Sequence, residues 1–551
     1  MLATACAADY IGPNRPPFAH HSPTAHPRES VDMSLGVDRV CVIIARTRHK
    51  MVQIELDEAV KRGAKFIELR LDFFAKAIDF KRLLPHRKCP WVATLRRHVD
   101  GGRYKGTEDE RKVILRQAIV SGFDWVDLET DVADEIKRFR NVKRIVSYHN
   151  FNETPDELEG IYEQMTKQDA DVLKVVTMAQ HPSDCMRVLD LLKGAKKPTV
   201  GHCMGEIGVP SRILSLRYGA PFMYAAFNKE RGITPGLPSY EEVKRYFYVH
   251  DINAKTKVYG VLGDPVAHSF SPALHNLMFR QTGINAVYLP FRVPRGELAE
   301  SLEAFNNVPV SGYSVTIPHK EPAAGLAVTS DERVRETGAA NTLVRRADGF
   351  HAFNTDYEAA LEGLRRNMPV EEGHRKEIKG TGAMILGAGG AARAVAHALH
   401  RAGANPIWVA GRTAIKAEKL ATEVHGKAVE WAARHNFDPG ILVNCTPVGM
   451  HPNLDDSPVH AGFLKPGMVV FDTIYNPEQT LLIKEARARG CPVVTGVEMF
   501  VRQAAMQFEL FTGQKADIEA MREILRRALS PVTYKDEEEE EEKEEKEERE
   551  D

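Results

Sequence analysis

Eight short apolar runs, roughly 20–30 residues apart, occupy the first half of the 551-residue chain and alternate with stretches of helical character. The runs are mostly apolar rather than strictly alternating, which is typical of strands buried on both faces of a parallel sheet. Eight β/α repeats predict a TIM-type (β/α)8 barrel over residues 38–245, with an open sheet of the same elements as the alternative. The runs read VCVIIA, FIELRLD, WVATLR, WVDLET, RIVSYHN, VLKVVTMA, PTVGHCMG and FMYAAF.

A second α/β pattern begins at KVYGVLG and divides into two lobes. This run, VYLPFRV and GYSVTIP alternate with helical stretches and predict a first lobe over residues 257–360. GAMILGAGG opens a Rossmann-like lobe over residues 361–499, with further strands in NPIWVAGRT, GILVNCTP, MVVFDTIY and PVVTGVEMF. A helix near 498–512 is expected to return, so that residues 500–529 complete the first lobe. The predicted fold class is α/β, a TIM barrel followed by a two-lobed α/β module.

The two ends of the chain differ in composition from the rest. Residues 1–37 lack hydrophobic periodicity and are expected to form a disordered leader, with Met33 as an alternative start. Residues 536–551 hold 13 acidic and 3 basic side chains and are expected to form a disordered acidic tail. Because the whole chain carries −2, the other 535 residues carry a net +8, which suits small anionic substrates better than nucleic acid.

The spacing of the cysteines and the length of the apolar runs argue against metal-binding and membrane-spanning classes of protein. Seven scattered cysteines without CxxC or another metal-ligand spacing predict free thiols in a reducing, cytoplasmic compartment and no metal site. No run approaches 18 apolar residues, so no membrane span is expected. The predicted partners are therefore small molecules, and the oligomeric state stays open.

Charged side chains gather at the predicted carboxyl ends of the barrel strands, where the chemistry of TIM barrels takes place. Lys174 lies in an apolar run, where burial disfavours the charged form and makes the neutral amine available as a nucleophile. His149 suits proton transfer near neutral pH, and Glu129 is a candidate to orient its imidazole. Taken singly, a lysine paired with a buried acid and a hydrogen-bonded core histidine are the structural alternatives. Further candidate substrate contacts at strand ends, or in the loop after the seventh strand, are Glu68, Arg70, Arg96, Met204, Ser211, Arg212 and Phe227.

The motifs IELRLD, TLR with a following GG, DLE, SYHNF and MGEIGVPSR, together with the strand lysine, resemble type I 3-dehydroquinate dehydratases. The resemblance covers about residues 38–245. It implies a Schiff base between Lys174 and the C3 ketone of 3-dehydroquinate. It further implies that His149 abstracts a C2 proton and helps to expel the C1 hydroxyl as water, while Arg212 holds the carboxylate.

One loop departs from that family's pattern. The closing loop of these enzymes usually reads Ser-Ala-Pro-Gly-Gln, and its Ser and Gln contact the substrate. Here the stretch is ITPGL, with Ile233 and Leu237 in those places. The loss of two hydrogen bonds, each worth ~0.5–1.5 kcal/mol, predicts weaker binding or slower turnover. A barrel that no longer catalyses is the alternative.

The sequence GAGGAARA, between a predicted strand and a predicted helix, indicates a phosphate-binding loop. Its backbone amides are expected to approach a pyrophosphate at the helix N-terminus. The next strand ends without the Asp or Glu of NAD sites and with nearby cations, which favours the 2′-phosphate of NADP; a surface arginine is the alternative. The candidate cofactor contacts are Gly387, Ala388, Gly389, Gly390, Ala391, Arg412, Thr413, Lys416, Thr446 and Gly496.

Small polar residues follow the strands of the first lobe in the motifs HSFSP, VTIPHK, GAANT and NTD, and they suit a polyhydroxy acid. Lys320 and Asp356 are expected to form a hydrogen-bonded pair that gives and takes the proton accompanying hydride transfer. By itself, Lys320 beside His319 is also typical of a basic surface pair. The candidate substrate contacts are Ser269, Ser271, Thr316, Asn341 and Asp356.

These motifs, followed in order by GAGGAARA, NCTPVGM, DTIYNP and GVEMFVRQA, resemble shikimate dehydrogenases over about residues 257–529. The resemblance adds Tyr475 and Gln503 to the substrate contacts, makes Lys320 catalytic and implies NADPH-dependent reduction of 3-dehydroshikimate to shikimate. A quinate/shikimate dehydrogenase is the alternative, and the hydroxyls of Ser269 and Thr316 favour shikimate. Since the fused order is similar to the bifunctional enzymes of plants, the two halves are expected to catalyse consecutive steps of the shikimate pathway.

Overall fold

The computed structural model describes residues 35–228, 233–267, 269–371 and 373–529. The predicted acidic tail, and the predicted leader up to residue 34, lie outside the described residues. All eight predicted runs of the first half form strands of one parallel sheet. They are β1 (Val40–Ile44), β2 (Ile67–Arg70), β3 (Trp91–Thr94), β4 (Trp125–Glu129), β5 (Lys143–His149), β6 (Val172–Met178), β7 (Thr199–Met204) and β8 (Met223–Ala226).

The sheet curls into a nearly closed barrel. Its strand order is β7-β6-β5-β4-β3-β2-β1-β8, and β1 pairs with β8, so only the seam between β7 and β8 has no hydrogen-bonded ladder. This arrangement confirms the predicted TIM-type architecture over an open sheet. The helices of this half are α1 (His49–Lys61), α2 (Phe80–Leu83), α3 (Glu108–Ser121), α4 (Leu158–Thr166), α5 (Pro182–Lys193), α6 (Val209–Arg217) and α7 (Tyr240–Arg245).

Local sequence explains where these helices begin and which face they bury. Helix α3 begins at a capping box, in which Thr107 and Glu110 satisfy each other's backbone amides, and it ends at Gly122 with φ of 118°. Helix α1 buries Val52, Leu56 and Ala59, one apolar stripe at helical spacing, against the strands. The link from β4 to β5 contains a 3-10 turn (Ala133–Glu135) in place of an α-helix, so the repeat is less regular than predicted.

The alternation of side chains along the strands separates two layers of the barrel. In β1, Val40, Val42 and Ile44 pack outward with the helices, while Cys41 and Ile43 belong to the interior cluster. Each of the other strands also places an apolar residue in that interior cluster, and the positions two and four residues further on point inward too. The interior is therefore apolar at the bottom, and its upper layers toward the carboxyl ends are free to carry polar side chains.

The first lobe of the second half is built on a six-stranded mixed sheet with the order β10-β9-β11-β13-β14-β12. Its antiparallel hairpin of β13 and β14, turning at Ala347 and Asp348, was not predicted. The strands are β9 (Lys257–Gly263), β10 (Ala286–Arg292), β11 (Val310–Val315), β12 (Thr329–Ser330), β13 (Thr342–Arg346) and β14 (Gly349–Phe353). The helices are α8 (Ser271–Gln281), α9 (Leu298–Ala304), α10 (Lys320–Leu326), α11 (Glu332–Thr337) and α12 (Thr355–Asn367).

The second lobe is a parallel sheet with the order β19-β18-β17-β20-β21-β22, the 3-2-1-4-5-6 order of dinucleotide-binding Rossmann folds. After a small hairpin of β15 (Val370–Glu371) and β16 (His374–Arg375), its strands are β17 (Ala383–Leu386), β18 (Ile407–Ala410), β19 (Lys427–Val429), β20 (Ile441–Asn444), β21 (Val469–Asp472) and β22 (Val493–Val494). The helices are α13 (Gly390–Arg401), α14 (Ala414–Glu423) and α15 (Leu481–Ala488). The predicted Rossmann-like lobe is confirmed.

The chain then returns to the first lobe. Helix α16 (Gly496–Thr512) and helix α17 (Ile518–Leu529) follow, and Val501 and Phe508 of α16 share an apolar cluster with Tyr259 and Leu274 of the first lobe. Among the described residues, every helix is too short or too polar to cross a bilayer. In the same part of the chain, no three His, Cys, Asp or Glu side chains are grouped as metal ligands.

Candidate active sites

A pocket opens at the carboxyl ends of the barrel strands and contains about 500 Å³ of space between atoms, part of which is open to solvent. The alternation described above brings residues from seven strands to its wall, and the loops after β3, β5 and β8 and helix α6 add further residues. Seven of the predicted site residues line the pocket, namely Glu68, Arg70, Arg96, His149, Lys174, Met204 and Arg212.

Lys174 is buried at the floor of this pocket among opposite charges. Its Nζ lies 3.1 Å from Oδ2 of Asp127 and 3.4 Å from Oε1 of Glu68. The Nζ also lies 4.0 Å from the centroid of the Tyr224 ring. The two carboxylates and the aromatic face offset the cost of desolvating an ammonium here. Neither Asp127 nor Tyr224 was predicted, although the strand alternation places both on the inner face.

Arg96 connects this lysine cluster to a second buried acid. Its guanidinium pairs with Asp127 at 2.8 Å and with Glu129 at 2.7 Å. Burial alone would raise the pKa of Asp127, but the charges of Arg96 and Lys174 outweigh it and hold the pKa well below its usual range. The other oxygen of Glu129 accepts a hydrogen bond of 2.8 Å from Arg111.

The structure corrects the role expected of Glu129. Because both of its carboxylate oxygens are bound by arginines, Glu129 orients Arg96 rather than the imidazole of His149. It also lies behind the pocket wall, since it is not among the lining residues. Arg70, which does line the pocket, is held by two hydrogen bonds to Asp72, 2.9 and 2.8 Å long.

His149 faces the pocket as a neutral imidazole. Burial, reinforced by the charges of Arg96 and Lys174, holds its pKa well below the usual 6.5. Its Nδ1 has no hydrogen-bond partner within the described part of the chain. Its ring lies nearly parallel to that of Phe151, at 13° and 6.1 Å. The side chain is thus held in place by ring packing while a nitrogen stays available to accept a proton.

Arg212 is the buried cation of the pocket that has no acidic partner in the described residues. It is 3% exposed, its Nε is unpaired, and its Nη2 reaches only Thr234 Oγ1 at 3.5 Å and Pro235 O at 3.3 Å. Burial lowers its pKa to about 10. A buried guanidinium with free donors is suited to a carboxylate ligand.

Two other predicted contacts of the barrel do not reach the pocket. Ser211 lies in helix α6, not in a loop, and its hydroxyl is used by Gly208 O at 2.6 Å and the backbone amide of Cys203 at 2.9 Å. Phe227 follows Ala226, which pairs with the inward-facing Ile43, so strand alternation turns Phe227 outward against the helices. Both residues are structural in this geometry.

The closing loop lies over the pocket with apolar side chains. Ile233 and Leu237 line the pocket and pack against the interior cluster of the barrel. Gly236, with φ of +71°, lies so close to the next loop that a β-carbon would be 2.3 Å from Gly205 O, so this turn requires glycine. The loop therefore seals the pocket without contributing the two polar groups discussed above. Other unpredicted lining residues are Asp100, Phe151, Thr234 and His202.

The second site lies between the lobes of the other half. Lys320 opens helix α10, Asp356 lies in the first turn of α12, and Lys320 Nζ donates to Asp356 Oδ2 over 2.6 Å. A β-carbon at Gly390 would lie 3.4 Å from Cδ of Lys320, so this lysine reaches the glycine-rich loop of the Rossmann lobe. The predicted lysine–aspartate pair is thus formed beside the predicted phosphate loop.

Hydrogen bonds and packing at neighbouring strand ends, together with one aromatic stack, hold the other predicted substrate contacts in place. Asn341 exchanges hydrogen bonds with Thr355, the residue before Asp356, at 2.9 and 2.8 Å. Thr316 follows β11 and packs over Gly263, where a β-carbon would be 2.5 Å from its methyl group. Ser269 accepts a hydrogen bond of 3.3 Å from the amide of Ser271.

Tyr475 joins the serine loop to helix α16. Its ring contacts that of Phe270 at 6.4 Å and stacks on Phe500 at 4.6 Å. Gln503 donates to the carbonyl of Phe500 at 2.8 Å. Tyr475 and Gln503 therefore belong to one contiguous wall with the loop that carries Ser269.

The glycine-rich loop has the geometry that a phosphate needs. Gly387 has φ of +112° and a β-carbon there would be 2.8 Å from Cys445 O, while Gly389 caps helix α13 and faces open space. Gly411, after β18, lies beside Ala388, since their β-carbons would be 3.8 Å apart. The helix N-terminus and its free amides attract an anionic group.

The other predicted cofactor contacts differ in their exposure and in their contacts. Arg412, Thr413 and Lys416 are exposed at the start of helix α14, beyond Gly411. Thr446 is fixed by Asn444, whose side-chain oxygen accepts from its hydroxyl at 2.7 Å. Gly496 is buried against Ile474, where a β-carbon would be 2.2 Å from the carbonyl oxygen, so packing alone requires a glycine there.

Comparisons with known proteins agree with both halves. Residues 40–254 match the model of the type I 3-dehydroquinases. Residues 261–343 match the shikimate dehydrogenase substrate-binding domain, 371–438 the shikimate/quinate 5-dehydrogenases and 496–526 the shikimate 5′-dehydrogenase C-terminal domain. A barrel with a buried lysine, joined to a dinucleotide-binding module of this kind, defines a chain with two enzyme sites.

Individual relatives extend this result to the whole chain. The chloroplastic bifunctional 3-dehydroquinate dehydratase/shikimate dehydrogenase of Arabidopsis thaliana is 35% identical over 521 residues, covering 90% of this chain and 86% of the relative. The chain therefore belongs to the family of bifunctional 3-dehydroquinate dehydratase/shikimate dehydrogenases. The shikimate dehydrogenase (NADP(+)) of Methanopyrus kandleri is 41% identical over 283 residues, covering 49% of this chain and 96% of the relative. The Thermus thermophilus shikimate 5-dehydrogenase solved with NADP(H) and shikimate is 35% identical and covers 50% of this chain and 100% of that one, with a TM-score of 0.45.

Proposed function

We propose that this chain converts 3-dehydroquinate to 3-dehydroshikimate in the barrel and then reduces that product to shikimate with NADPH in the second half. The observation that carries the barrel reaction is the joint placement of Lys174, His149 and Arg212 on one pocket wall. The observation that carries the reduction is the Lys320–Asp356 pair beside the glycine-rich loop. The substrates are small carboxylic acids, which fits the buried guanidinium of Arg212, since it has no acidic partner among the described residues.

In the barrel, the amine of Lys174, once it has given up its proton, attacks the C3 ketone and, with loss of water, forms an imine. The imine withdraws electrons from C2, and the neutral His149 removes a C2 proton there. The C1 hydroxyl then leaves as water with a proton returned by His149, and hydrolysis of the imine by one water molecule releases 3-dehydroshikimate and restores the amine of Lys174. Arg212 holds the carboxylate, Glu68, Arg70 and Arg96 face the ring hydroxyls, and Met204 contributes apolar contact. The roles of His149 and Arg212 are supported by Nδ1 of the former and Nε of the latter, which have no hydrogen-bond partner among the described residues.

In the second half, NADPH supplies the hydride when it is bound. The glycine loop (387–391) is suited to its pyrophosphate, and Arg412, Thr413 and Lys416 are suited to its 2′-phosphate, with Thr446 and Gly496 shaping the rest of the cleft. Lys320 donates the proton to the ring ketone oxygen, and Asp356 holds the ammonium in place. The substrate is positioned by Ser269, Ser271, Thr316, Asn341, Tyr475 and Gln503.

The division into structural units follows from the same proposal. We assign residues 38–245 to the dehydratase, 257–360 with 500–529 to the substrate lobe and 361–499 to the NADP lobe. The six described cysteines are free, which supports a reducing compartment such as the cytoplasm.

The test uses the purified full-length chain with each substrate separately. Formation of a conjugated enone from 3-dehydroquinate, followed by ultraviolet absorbance, measures the first reaction. Oxidation of NADPH in the presence of 3-dehydroshikimate measures the second. Absence of either signal would refute the corresponding half of the proposal.

A second candidate function is an active dehydrogenase that carries a weak or inactive barrel. The apolar Ile233 and Leu237 in the closing loop favour it, because they offer no hydrogen bond to a hydroxy acid. Exchanging both residues for Ser and Gln distinguishes the two candidates. A measurable dehydratase in the original chain supports the first, and activity that appears only in the double variant supports the second.

A further inference from the structure

We infer that His202 is a second histidine of the dehydratase site, which hydrogen-bonds the C1 hydroxyl of the substrate beside the carboxylate held by Arg212. The assignment rests on the proposed dehydration. His202 lies on β7 and lines the pocket, and it was not among the predicted site residues.

Strand register places the two histidines symmetrically about the lysine strand. His149 on β5 pairs with Val176 on β6, and Val176 pairs with His202 on β7. Two residues earlier on each of these strands, and so one inward-facing position deeper in the barrel, Lys174 pairs with Ser147 on one side and Val200 on the other. At ~4.8 Å per strand, the α-carbons of the two histidines are about 10 Å apart across the barrel wall. A six-membered ring attached to Lys174 therefore lies between them, one level nearer the mouth.

His202 has unused hydrogen-bonding capacity. It is 5% exposed, and no described residue hydrogen-bonds its ring. The buried His319, by comparison, is bound through Nε2 to the carbonyl of Val293 at 2.7 Å. Neither ring nitrogen of His275 has a hydrogen-bond partner in the described part of the chain, but this ring packs against those of Tyr288 and Phe508 and does not line the barrel pocket. A buried polar ring that faces a pocket and lacks a protein partner is matched to a ligand.

Electrostatics determine which form of His202 meets the substrate. Burial first, and then the charges of Arg212 and Lys174, hold its pKa well below 6.5. These two cations are the proposed contacts of the substrate carboxylate and of the imine. A neutral imidazole has one donor and one acceptor nitrogen, which suits an alcohol better than a second carboxylate contact. The hydroxyl on the carbon that bears the carboxylate is the C1 hydroxyl of 3-dehydroquinate.

This contact also provides polar recognition in a pocket whose closing loop carries the apolar Ile233 and Leu237. Ile233 and Leu237 add apolar surface to the pocket where the related enzymes carry polar side chains, so a polar side chain on the barrel wall gains importance for recognition. His202 supplies it from a rigid strand, where a side chain is held more precisely than on a loop. His202 is thereby a specificity-determining residue for an α-hydroxy carboxylate.

The kinetic test compares His202→Met with His202→Gln, using Ile43→Val as a matched change of a lining residue that has no proposed contact with the substrate. We expect His202→Met to raise KM for 3-dehydroquinate about 5- to 20-fold and His202→Gln, which keeps a donor and an acceptor, to stay within about threefold. Ile43→Val is expected to leave KM within about threefold. Dehydrogenase activity of the same chains reports that they are folded. A His202→Met chain with unchanged KM, or a His202→Gln chain as impaired as His202→Met, overturns the inference.

A binding test separates this inference from the proposed reaction. In a Lys174→Met chain no imine forms, so the dissociation constant of 3-dehydroquinate can be measured by calorimetry with and without His202→Met. We expect the second change to weaken binding about 5- to 20-fold. A ratio within about twofold, or no binding to the Lys174→Met chain although Arg212 and His202 are present, contradicts the role of His202. Failure of the unaltered chain to turn over 3-dehydroquinate would refute the dehydration itself, while the ratio of dissociation constants still decides the role of His202.

Discussion

Arg292 of the second half forms an ion pair with Glu206 of the barrel, with Nη1 and Oε2 3.0 Å apart. Glu206 lies in the loop after β7, at the mouth of the barrel, and precedes the helix that carries Arg212. Arg292 also binds Asp264, at 2.9 Å, in the loop that leads to Ser269. The rims of the two candidate sites are therefore in direct contact. Because the two reactions can be measured separately, the activity of each site can serve as the internal control for variants of the other.

The Lys320–Asp356 pair predicts a selective loss of reduction. We expect Lys320→Met to lower kcat for 3-dehydroshikimate about 10²- to 10⁴-fold, because the proton donor to the ketone oxygen is removed. Dehydratase activity of the same chain should stay within about twofold. Steady-state NADPH oxidation measures the first quantity, and a Lys320→Met chain that still reduces 3-dehydroshikimate at the original rate would eliminate Lys320 as the donor.

The imine at Lys174 predicts a covalent adduct that can be trapped. Borohydride in the presence of 3-dehydroquinate should add the mass of the reduced substrate to the peptide that contains Lys174. Lys174→Met should abolish this adduct and lower dehydratase turnover by at least about 10³-fold, because the nucleophile is absent. Intact-mass and peptide mass spectrometry measure the adduct. Trapping at another lysine would show that the barrel uses a different nucleophile.

The depressed pKa of His149 predicts where the dehydratase loses activity in acid. A general base works only in its neutral form, and its pKa lies well below the usual 6.5. The acidic limb of kcat/KM for 3-dehydroquinate should therefore lie below pH 6.5, with full activity retained at neutral pH. A pH series with a three-component buffer at constant ionic strength measures this limb. A limb at or above pH 6.5 would contradict a neutral imidazole in this pocket.

Asp127 predicts how stability depends on pH. Its pKa in the folded chain is depressed below the ordinary 3.8, so its contribution to stability is complete above that value and is lost as the pH falls below it. Asp127→Asn should destabilise the barrel at neutral pH by about 3–5 kcal/mol, because Arg96 and Lys174 lose a buried counter-charge. Hydrogen exchange of barrel peptides in rising urea measures the change. Equal stability of both chains at neutral pH would show that the cluster is not held by this charge.

The cations after β18 predict the choice of cofactor. We expect Arg412→Ala to raise KM for NADPH about 10- to 100-fold with little effect on NADH, because only the former carries the 2′-phosphate. Lys419→Ala is the matched control, since it removes an exposed cation from the same helix. Parallel kinetics with the two cofactors measure the preference. Equal losses with NADPH and NADH would assign Arg412 to a different part of the site.

Much of this architecture could be predicted because two sequence periods determine it: the spacing of the apolar runs along the chain and the two-residue alternation of side chains within each strand. The eight apolar runs locate the barrel strands, and two-residue alternation brings Lys174 and His149 to one interior. The strand–glycine–helix sequence locates the Rossmann lobe in the same way. Local pattern is sufficient where the period is strong and the motif is contiguous.

The rest depends on contacts that no local pattern contains. Asp127 was missed because a single acid in an apolar run does not reveal that Arg96 and Lys174 meet it across two other strands. The expected contact of Glu129 with His149 was wrong for the same reason, since Arg111 on helix α3 donates a hydrogen bond to one carboxylate oxygen of Glu129. Ser211 appeared to lie in a loop because the start of helix α6, with Pro210 in its first turn, carries no polar capping side chain.

The most direct test of the whole account is one assay with the full-length chain, 3-dehydroquinate and NADPH. The account predicts that nicotinamide absorbance falls without any added enzyme and that Lys174→Met prevents this fall while leaving the response to 3-dehydroshikimate intact. No fall with 3-dehydroquinate, together with a normal fall with 3-dehydroshikimate, would contradict it by showing that the barrel does not supply the substrate of the second site.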